Sequence, residues 1–281
     1  MQKLSQSLRR QGKLIGLVPT MGYLHQGHLS LVRLARKKSA VVVASIFVNP
    51  LQFGPKEDFQ KYPRDINRDK KLLAQEKCDV LFSPSAREMY PDDFLTSVSV
   101  SKMSDRLEGA SRPGHFNGVV TVLAKLFNII LPDLAFFGQK DAQQVVVVKK
   151  MVEDLNFPAK IVVAPTVRDK SGLALSSRNS YLKAQEYQPA LSLSRALREA
   201  KKMIIQGEKD PEKVMAEMRK IIEEQPLTRI DYLAITDTKE LLPVDKIKGQ
   251  ILISLAVRVG GTRLIDNLCL KVNNRVKESR C

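Results

Sequence analysis

The segment PTMGYLHQGH, residues 19–28, sets the architecture of the chain because it joins an apolar run to an amphipathic helix. Residues 14–18 read as a short buried strand, and residues 28–38 place apolar side chains on one side at helical spacing. A strand, a glycine-containing turn and a helix in this order are typical of parallel α/β sheets. Ligands bind such sheets at the carboxyl ends of the strands, so this turn is the first candidate site.

Further apolar runs predict more strands of the same sheet. They lie at residues 40–48, 79–82, 134–137 and 160–164. Helical patterns between them cover residues 68–77 and 116–131. Residues 145–148 are rich in valine, but the apolar spacing continues to residue 155 at helical period, so we predict a helix there. The alternation predicts a Rossmann-like parallel sheet domain, residues 1–166, with helices on both faces.

A different pattern follows residue 167. Amphipathic helices are predicted at residues 184–206 and 211–225, and strand-like runs at residues 230–235, 250–257 and 262–265. This order predicts a smaller C-terminal α+β lid domain with an antiparallel sheet, residues 167–281. Residues 169–172, Asp-Lys-Ser-Gly, read as the joint that precedes these helices.

The composition restricts the partners. A formal net charge of +16 over 281 residues leaves nucleic acid, anionic lipid and phosphorylated small molecules open. The basic residues are scattered along helix surfaces, as at residues 195–202, with no interleaved aromatic residues, so we predict no nucleic-acid partner. No apolar run approaches the roughly 20 residues of a membrane span, and residues 1–20 resemble no secretory signal. We therefore predict a cytoplasmic protein with no membrane partner.

The cysteines predict neither a disulfide framework nor a metal site. Cys78, Cys269 and Cys281 are far apart in sequence and form no Cys-x-x-Cys pair. They also have no histidine near them at the spacing of zinc ligands, so no metal-binding residues are predicted.

The opening turn carries groups suited to phosphate. Gly22 and Gly27 permit tight turns and close backbone approach, and the start of the helix presents N–H groups and a positive dipole end. His25 and His28, three residues apart, can face one ligand together. The alternative is that the histidines only cap or pack the helix, but the order strand, turn, helix favours a nucleotide site.

Residues 19–28 resemble the His-x-Gly-His signature of the nucleotidyltransferase superfamily, and the residues around them resemble the pantoate–β-alanine ligase family, the pantothenate synthetases. The resemblance covers residues 14–267 and rests on several separate motifs, while residues 273–281 match no segment of the family. It implies ATP contacts along three segments. These are Met21, Gly22, Tyr23, Leu24, His25, Gln26, Gly27 and His28; Gly138, Gln139, Lys140 and Asp141; and Val167, Leu175, Ser176, Ser177 and Arg178.

Polar residues that follow other strands are candidates for substrate binding. Asn49 and Gln52 end the second strand, where amides can bond to hydroxyls and carboxylates; the alternative is a polar turn in water. The resemblance assigns pantoate to Gln52 and Gln144 and links the Gln52 site to β-alanine. Tyr62 either lines the amine-entry side or packs under a loop.

Arg112 and His115 precede the apolar helix that begins near residue 117. Arg112 can neutralise phosphate or carboxylate charge, and the resemblance places the pair beside the phosphates and the acceptor. An exposed helix-entry turn is the alternative. With Asn49 and Tyr62, these residues are predicted phosphate or acceptor contacts.

Two later segments, residues 138–141 and 172–179, carry further candidate ATP-binding residues. The resemblance assigns the ribose to Gly138 and Asp141 and a phosphate to Lys140; without it, Lys140 and Asp141 read only as a surface ion pair. Residues 172–179 occupy the place of the mobile loop of related adenylating enzymes, so their hydroxyls and Arg178 are predicted to hold the terminal phosphates. A serine-rich linker is the alternative.

Taken together, the resemblance implies a homodimeric ligase with ATP, pantoate and β-alanine as substrates and Mg²⁺ on the phosphates of ATP. The predicted catalytic residues are His28, His25, Lys140 and Arg178. The three ATP segments must then surround a single triphosphate. Two rivals are a His-x-Gly-His enzyme whose product retains the nucleotide and an RNA-binding protein that uses the positive charge.

Overall fold

The computed structural model describes residues 1–55, 57–273 and 275–281. The helices are α1 Gln2–Arg10, α2 Gln26–Lys38, α3 Ile66–Gln75, α4 Ala86–Met89, α5 Glu108–Ser111, α6 His115–Ile130, α7 Ala142–Asp154, α8 Ala184–Ile205 and α9 Pro211–Glu223. The strands are β1 Ile15–Thr20, β2 Val41–Ile46, β3 Val80–Phe82, β4 Leu134–Gly138, β5 Lys160–Ala164, β6 Thr228–Asp237, β7 Gly249–Val259, β8 Thr262–Val272 and β9 Val276–Glu278.

The chain divides into two compact units. Residues 1–138 and 147–164 form the first unit, and residues 139–146 and 165–281 form the second. The first turns of α7 are therefore grouped with the second unit. The domain boundary after residue 166, with its nucleotide-binding and lid assignments, stays a prediction.

The described residues of the first unit form a five-stranded parallel sheet in the order β3–β2–β1–β4–β5. Every strand predicted for this sheet is confirmed, as are the helices α2, α3, α6 and α7. The valine run at residues 145–148 lies in α7, as its longer apolar period indicated. The fold is the predicted α/β, Rossmann-like class.

The core of the first unit explains why its strands are readable from sequence. β2 is buried at every position, so its run of valine and isoleucine has no exposed alternation. From α2, Leu29, Val32 and Ala35 pack onto this sheet. α1 was not predicted, because only Ser5 and Leu8 of that helix are buried and its other positions, including Leu4, give no apolar stripe.

The described residues of the second unit form an antiparallel sheet in the order β6–β7–β8–β9. α8 and α9 share a core with it that includes Leu193, Val214 and Leu255. The predicted helices and the first three strands are confirmed. β8 runs to Val272, beyond the predicted end at residue 265, and β9 was not predicted because three half-buried or exposed residues make no apolar run.

No helix within the described part of the chain combines the length and the apolarity that crossing a membrane requires.

Candidate active site

The opening turn lies where the strand order of the parallel sheet reverses. β2 and β3 continue on one side of β1, and β4 and β5 on the other, which is the position of the ligand crevice in doubly wound sheets. Thr20 Oγ1 accepts the N–H of Gly22 at 3.1 Å and donates to the carbonyl of Ser45 at 2.8 Å. Gly22 has φ +85°, and a Cβ there would stand 3.0 Å from Cγ2 of Ile46, so the turn requires glycine.

The two histidines of the signature cap the helix that follows. Nδ1 of His25 accepts the N–H of Gly27 at 3.1 Å, and Nδ1 of His28 accepts the N–H of His25 at 3.3 Å, which forms a capping box. Because Nδ1 accepts in both rings, each neutral imidazole carries its proton on Nε2. The ring centroids are 4.0 Å apart. Capping and ligand binding are therefore compatible, since capping uses only Nδ1.

A carboxylate that the sequence analysis missed holds the same turn. Asp69 of α3 is 1% exposed, and its two oxygens accept the N–H groups of Tyr23 at 2.7 Å and Leu24 at 2.8 Å. Tyr23 has φ +50°, a conformation that residues other than glycine seldom adopt. A signal existed in the sequence, because Asp69 precedes Leu73 by four residues and so lies on the buried side of the helix.

Asn49 and Gln52 form a buried amide network after β2. Oε1 of Gln52 accepts from Nδ2 of Asn49 at 3.2 Å, and Nε2 of Gln52 lies 2.8 Å from Sδ of Met21 in the opening turn. Asn49 also donates to the carbonyl of Gly118 at 3.0 Å and accepts from the Tyr90 hydroxyl at 2.9 Å. The alternative of a polar turn in water is wrong, because Asn49 is 1% and Gln52 8% exposed. Their contacts with substrate stay predictions.

Arg112 is bound to a carboxylate of its own unit. Its Nε and Nη2 lie 2.7 Å from the two oxygens of Glu57, a bidentate ion pair, and its Nη1 lies 3.0 Å from Nε2 of His115. Nδ1 of His115 lies 2.8 Å from the carbonyl of Gln52, which can only accept. His115 therefore carries its proton on Nδ1 and accepts from Arg112 through Nε2.

Burial and the neighbouring charges shift the pKa values of His115 and Glu57 in this cluster. It lowers the pKa of His115 to about 4, and the neighbouring charge of Arg112 acts in the same direction. Burial alone would raise the pKa of Glu57, but the hydrogen bonds and charge of Arg112 outweigh it and hold that pKa below its ordinary value. The turn that enters α6 is exposed at Ser111, Pro113 and Gly114, as the alternative held, but the side chain of Arg112 is only 12% exposed. The predicted phosphate or acceptor contacts of Arg112 and His115 stay predictions.

Tyr62 packs beneath a loop, which was one of the two predictions made for it; the other was that it lines the entry of the amine substrate. It is 6% exposed and meets the ring of Phe53 edge-on, with centroids 5.9 Å apart. Its contact with an amine substrate stays a prediction.

In the second unit, a 3-10 turn over Gln139–Asp141 precedes α7. Lys140 Nζ lies 3.3 Å from Oδ1 of Asp141, so the ion pair exists, and the lysine side chain is 18% exposed. Gln144 lies in the first turn of α7 and is half-buried. The nucleotide and pantoate contacts of these residues stay predictions.

Asn267 of β8 is a second residue that the motifs do not include. Its Nδ2 donates to the carbonyls of Gln139 at 2.9 Å and Lys140 at 2.7 Å, and its Oδ1 accepts from Nε2 of Gln139 at 3.1 Å. No sequence signal pointed to it, because the partners are 127 and 128 residues away along the chain.

Residues 172–179, the double-serine loop, have a defined local structure. Leu175 N–H donates to the carbonyl of Val167 at 2.9 Å, and Oγ of Ser176 accepts the N–H of Arg178 at 3.2 Å at the start of the 3-10 helix Ser177–Tyr181. A capped turn of this kind differs from an unstructured serine-rich linker.

The structure thus brings together the opening turn with Gln52, and Gln52 with Arg112 and His115, all in the first unit. In the second unit it brings Gln139 and Lys140 onto Asn267. Over residues 1–55, 57–273 and 275–281, no cluster of three or more His, Cys, Asp or Glu side chains could hold a metal ion. That the three ATP segments share one triphosphate stays a prediction.

Known proteins resemble this chain along nearly its full length. A family model described as pantoate-beta-alanine ligase matches residues 1–269. The pantothenate synthetase of Thermoanaerobacter sp. (strain X514) is 55% identical over 267 residues, which are 95% of this chain and 92% of that relative. That of Moorella thermoacetica is 56% identical over 266 residues, 95% of this chain and 94% of the relative.

Crystal structures of relatives also match the fold. The pantothenate synthetase from Thermus thermophilus superposes with a TM-score of 0.90 at 46% identity, covering 94% of this chain and 96% of that one. The pantoate-beta-alanine ligase from Francisella tularensis, described as complexed with beta-gamma ATP and beta-alanine, gives a TM-score of 0.76 at 37% identity and covers 94% of each chain.

Proposed function

Because the chain belongs to the pantoate–β-alanine ligase family, we propose that it joins pantoate to β-alanine with ATP as the energy source. ATP and pantoate first give pantoyl adenylate and pyrophosphate, and β-alanine then displaces AMP to give pantothenate. The Francisella relative is described with an ATP compound and β-alanine, two of the three ligands that this reaction needs.

In the first step, a pantoate carboxylate oxygen attacks the α-phosphorus of ATP, and the bond to the leaving pyrophosphate breaks. Two anions must meet, so the enzyme has to hold them in line and offset their charge. His28 is the proposed general acid, with His25 as a second donor. The observation that supports a donor role is the capping box, in which both Nδ1 atoms accept main-chain N–H groups and the ring proton of each neutral imidazole is therefore on Nε2.

Other residues supply charge and orientation. Lys140 and Arg178 offset phosphate charge, while Gly138 and Asp141 hold the ribose. Mg²⁺ enters with ATP as part of the substrate and neutralises phosphate charge. Gln52 and Gln144 hold pantoate, and the double-serine loop acts as a lid that keeps water from the intermediate.

In the second step, the β-alanine amine attacks the acyl carbon of pantoyl adenylate. The C–N bond forms, the bond from the acyl carbon to the AMP oxygen breaks, and the amine loses a proton to water. No residue of the protein needs to be acylated, because the adenylate is already an activated acyl group.

The test is pantoate-dependent exchange of labelled pyrophosphate into ATP, followed by addition of β-alanine. We expect exchange with ATP, Mg²⁺ and pantoate but without β-alanine, and then equal amounts of AMP and pantothenate once β-alanine is added. A product that retains the nucleotide would support the rival nucleotidyltransferase instead. RNA binding with a steep salt dependence and no ATP turnover would support the RNA-binding rival.

We further propose that the enzyme is a cytoplasmic homodimer, as the family resemblance implies. Light scattering of the purified chain tests the dimer: a mass of one chain would contradict it.

A further inference from the structure

Asn267 holds the main chain of a segment that is proposed to meet ATP. It is 5% exposed, and both hydrogens of its amide are used on consecutive carbonyls, those of Gln139 at 2.9 Å and Lys140 at 2.7 Å. Its oxygen accepts from the Gln139 side chain at 3.1 Å. Buried amides in such a reciprocal arrangement are rigid, because each bond would leave an unpaired polar group if it opened.

The arrangement has an electrostatic consequence for an anionic ligand. A carbonyl oxygen carries partial negative charge, and the oxygens of Gln139 and Lys140 belong to residues proposed to contact ATP. Asn267 occupies both oxygens with N–H donors and introduces no charge of its own. It also fixes the backbone from which the Lys140 side chain extends.

The surroundings of Asn267 keep it in place. Its own N–H donates to Oδ1 of Asp266 at 2.8 Å, and Asp266 is paired with Arg168 through contacts of 2.6 and 2.8 Å. On the other side, Oε1 of Gln139 accepts the main-chain N–H of Cys281 at 3.0 Å. β8 and the residues after β9 therefore enclose Gln139 from two directions.

We infer that Asn267 is a positioning residue for adenylation: it sets the main chain of Gln139 and Lys140 so that the Lys140 ammonium meets the phosphates of ATP. The inference rests on the proposed function. It adds a residue outside every nucleotide motif to the machinery of the first step.

The test is Asn267→Asp, which keeps the size of the side chain but faces the two carbonyls with oxygen instead of N–H. We expect the KM for ATP in the exchange reaction to rise about tenfold and kcat to fall about tenfold, with the KM for pantoate within about twofold of the parent value. The matched control is Asn273→Asp, the same chemical change at an exposed position after β8, which should leave all three values unchanged.

A purely structural role predicts a different result. Asn267→Asp would then lower the melting temperature but leave the KM for ATP unchanged at temperatures well below melting, and the inference would be wrong. If the aspartate variant does not fold, Asn267→Ser removes the same two bonds without adding charge, and the same criterion applies to it.

Direct binding separates this inference from the proposed function. Calorimetry with a non-hydrolysable ATP analogue needs no turnover, and we expect about tenfold weaker binding for Asn267→Asp than for the parent. If the parent binds the analogue but makes no pantothenate, the proposed function fails while the binding comparison still decides the role of Asn267. Unchanged analogue affinity in the variant would overturn that role.

Discussion

The opening turn and the Gln139–Asp141 segment are both proposed to meet ATP, yet side chains of opposite hydrogen-bonding character hold them. In the opening turn, the buried carboxylate of Asp69 accepts main-chain N–H groups. In the Gln139–Asp141 segment, the neutral amide of Asn267 donates to main-chain carbonyls. Both holding residues lie outside the motifs, and both are at least 95% buried.

The difference shows what each segment can present to a nucleotide. In the opening turn, the N–H groups of Tyr23 and Leu24 bind Asp69 and are not available to a phosphate. The proposed donors to phosphate are the imidazole Nε2 atoms and the start of the helix. In the Gln139–Asp141 segment, two carbonyls accept from Asn267, and the Lys140 ammonium is the group proposed to meet phosphate. An uncharged amide suits that place, because a carboxylate there would add negative charge beside the residue that is proposed to attract phosphate.

The largest effect should come from removing the imidazole of the opening turn without removing its cap. In His28→Gln, the glutamine at the third helical position can still accept the N–H of His25, as in a capping box. We expect the rate of pantoate-dependent exchange to fall about 1,000-fold, the range for loss of a general acid. Steady-state exchange kinetics with thermal melts provide the measurement.

The companion variant His28→Ala loses the cap as well. It should show a similar loss of exchange and an additional loss of stability of about 1 kcal/mol. Near-normal exchange in either variant would show that His28 is not the acid.

The next effect concerns the residue that holds the opening turn. Asp69→Ala leaves two buried N–H groups without acceptors, and we expect it to lower the free energy of unfolding by about 3 kcal/mol. Asp69→Asn retains one acceptor oxygen and should lower it by roughly half as much. Urea denaturation measures both. Equal stability of the three proteins would mean that the contacts of Asp69 do not hold the turn.

Acid should weaken the first unit through His115. Its pKa falls from 6.5 to about 4 on folding, so the unfolded chain takes up a proton first and stability declines as the pH drops through 6.5 toward 4. Between pH 7 and pH 5 we expect a loss of about 2 kcal/mol from this group. Denaturation at several pH values checks it, with His115→Gln as the variant that should lose less over that interval. An identical pH dependence in both proteins would contradict the assignment.

The smallest effect should come from the glycine of the opening turn. Gly22→Ala places a Cβ 3.0 Å from Cγ2 of Ile46 and 3.1 Å from Oδ2 of Asp69 at a positive φ, which should cost about 1–2 kcal/mol. Gly261→Ala is the control, since Gly261 has open space and no positive φ. Matched urea curves for the two variants would contradict the strain at Gly22.

Most of the fold could be predicted from the sequence because buried elements have long apolar patterns. β2 is buried on both faces and reads as an unbroken apolar run, and α6 and α8 show long apolar repeats at helical spacing. β9 was not predicted, because it forms a strand by pairing with β8. A three-residue segment is too short to show an apolar pattern of its own.

In the candidate site, residues with local contacts could be predicted from the sequence, and residues with distant contacts could not. Glycines and histidines of the opening turn were readable because their chemistry is local: each contacts neighbours within three residues. The main-chain partners of Asp69 and Asn267 are 45 or more residues away along the chain, so the sequence does not show what either residue binds. Only the burial of Asp69 was indicated, by its helical spacing to Leu73. Sequence motifs therefore marked the residues proposed to touch ATP, and the structure was needed to find those that hold them.

The opening turn and the Gln139–Asp141 segment are proposed to bind one and the same nucleotide. Calorimetric titration of the parent, His28→Gln and Lys140→Met with a non-hydrolysable ATP analogue tests it. We predict one site per chain in the parent and about tenfold weaker binding at that site in each variant. Two independent sites, or full affinity in one of the variants, would contradict the claim.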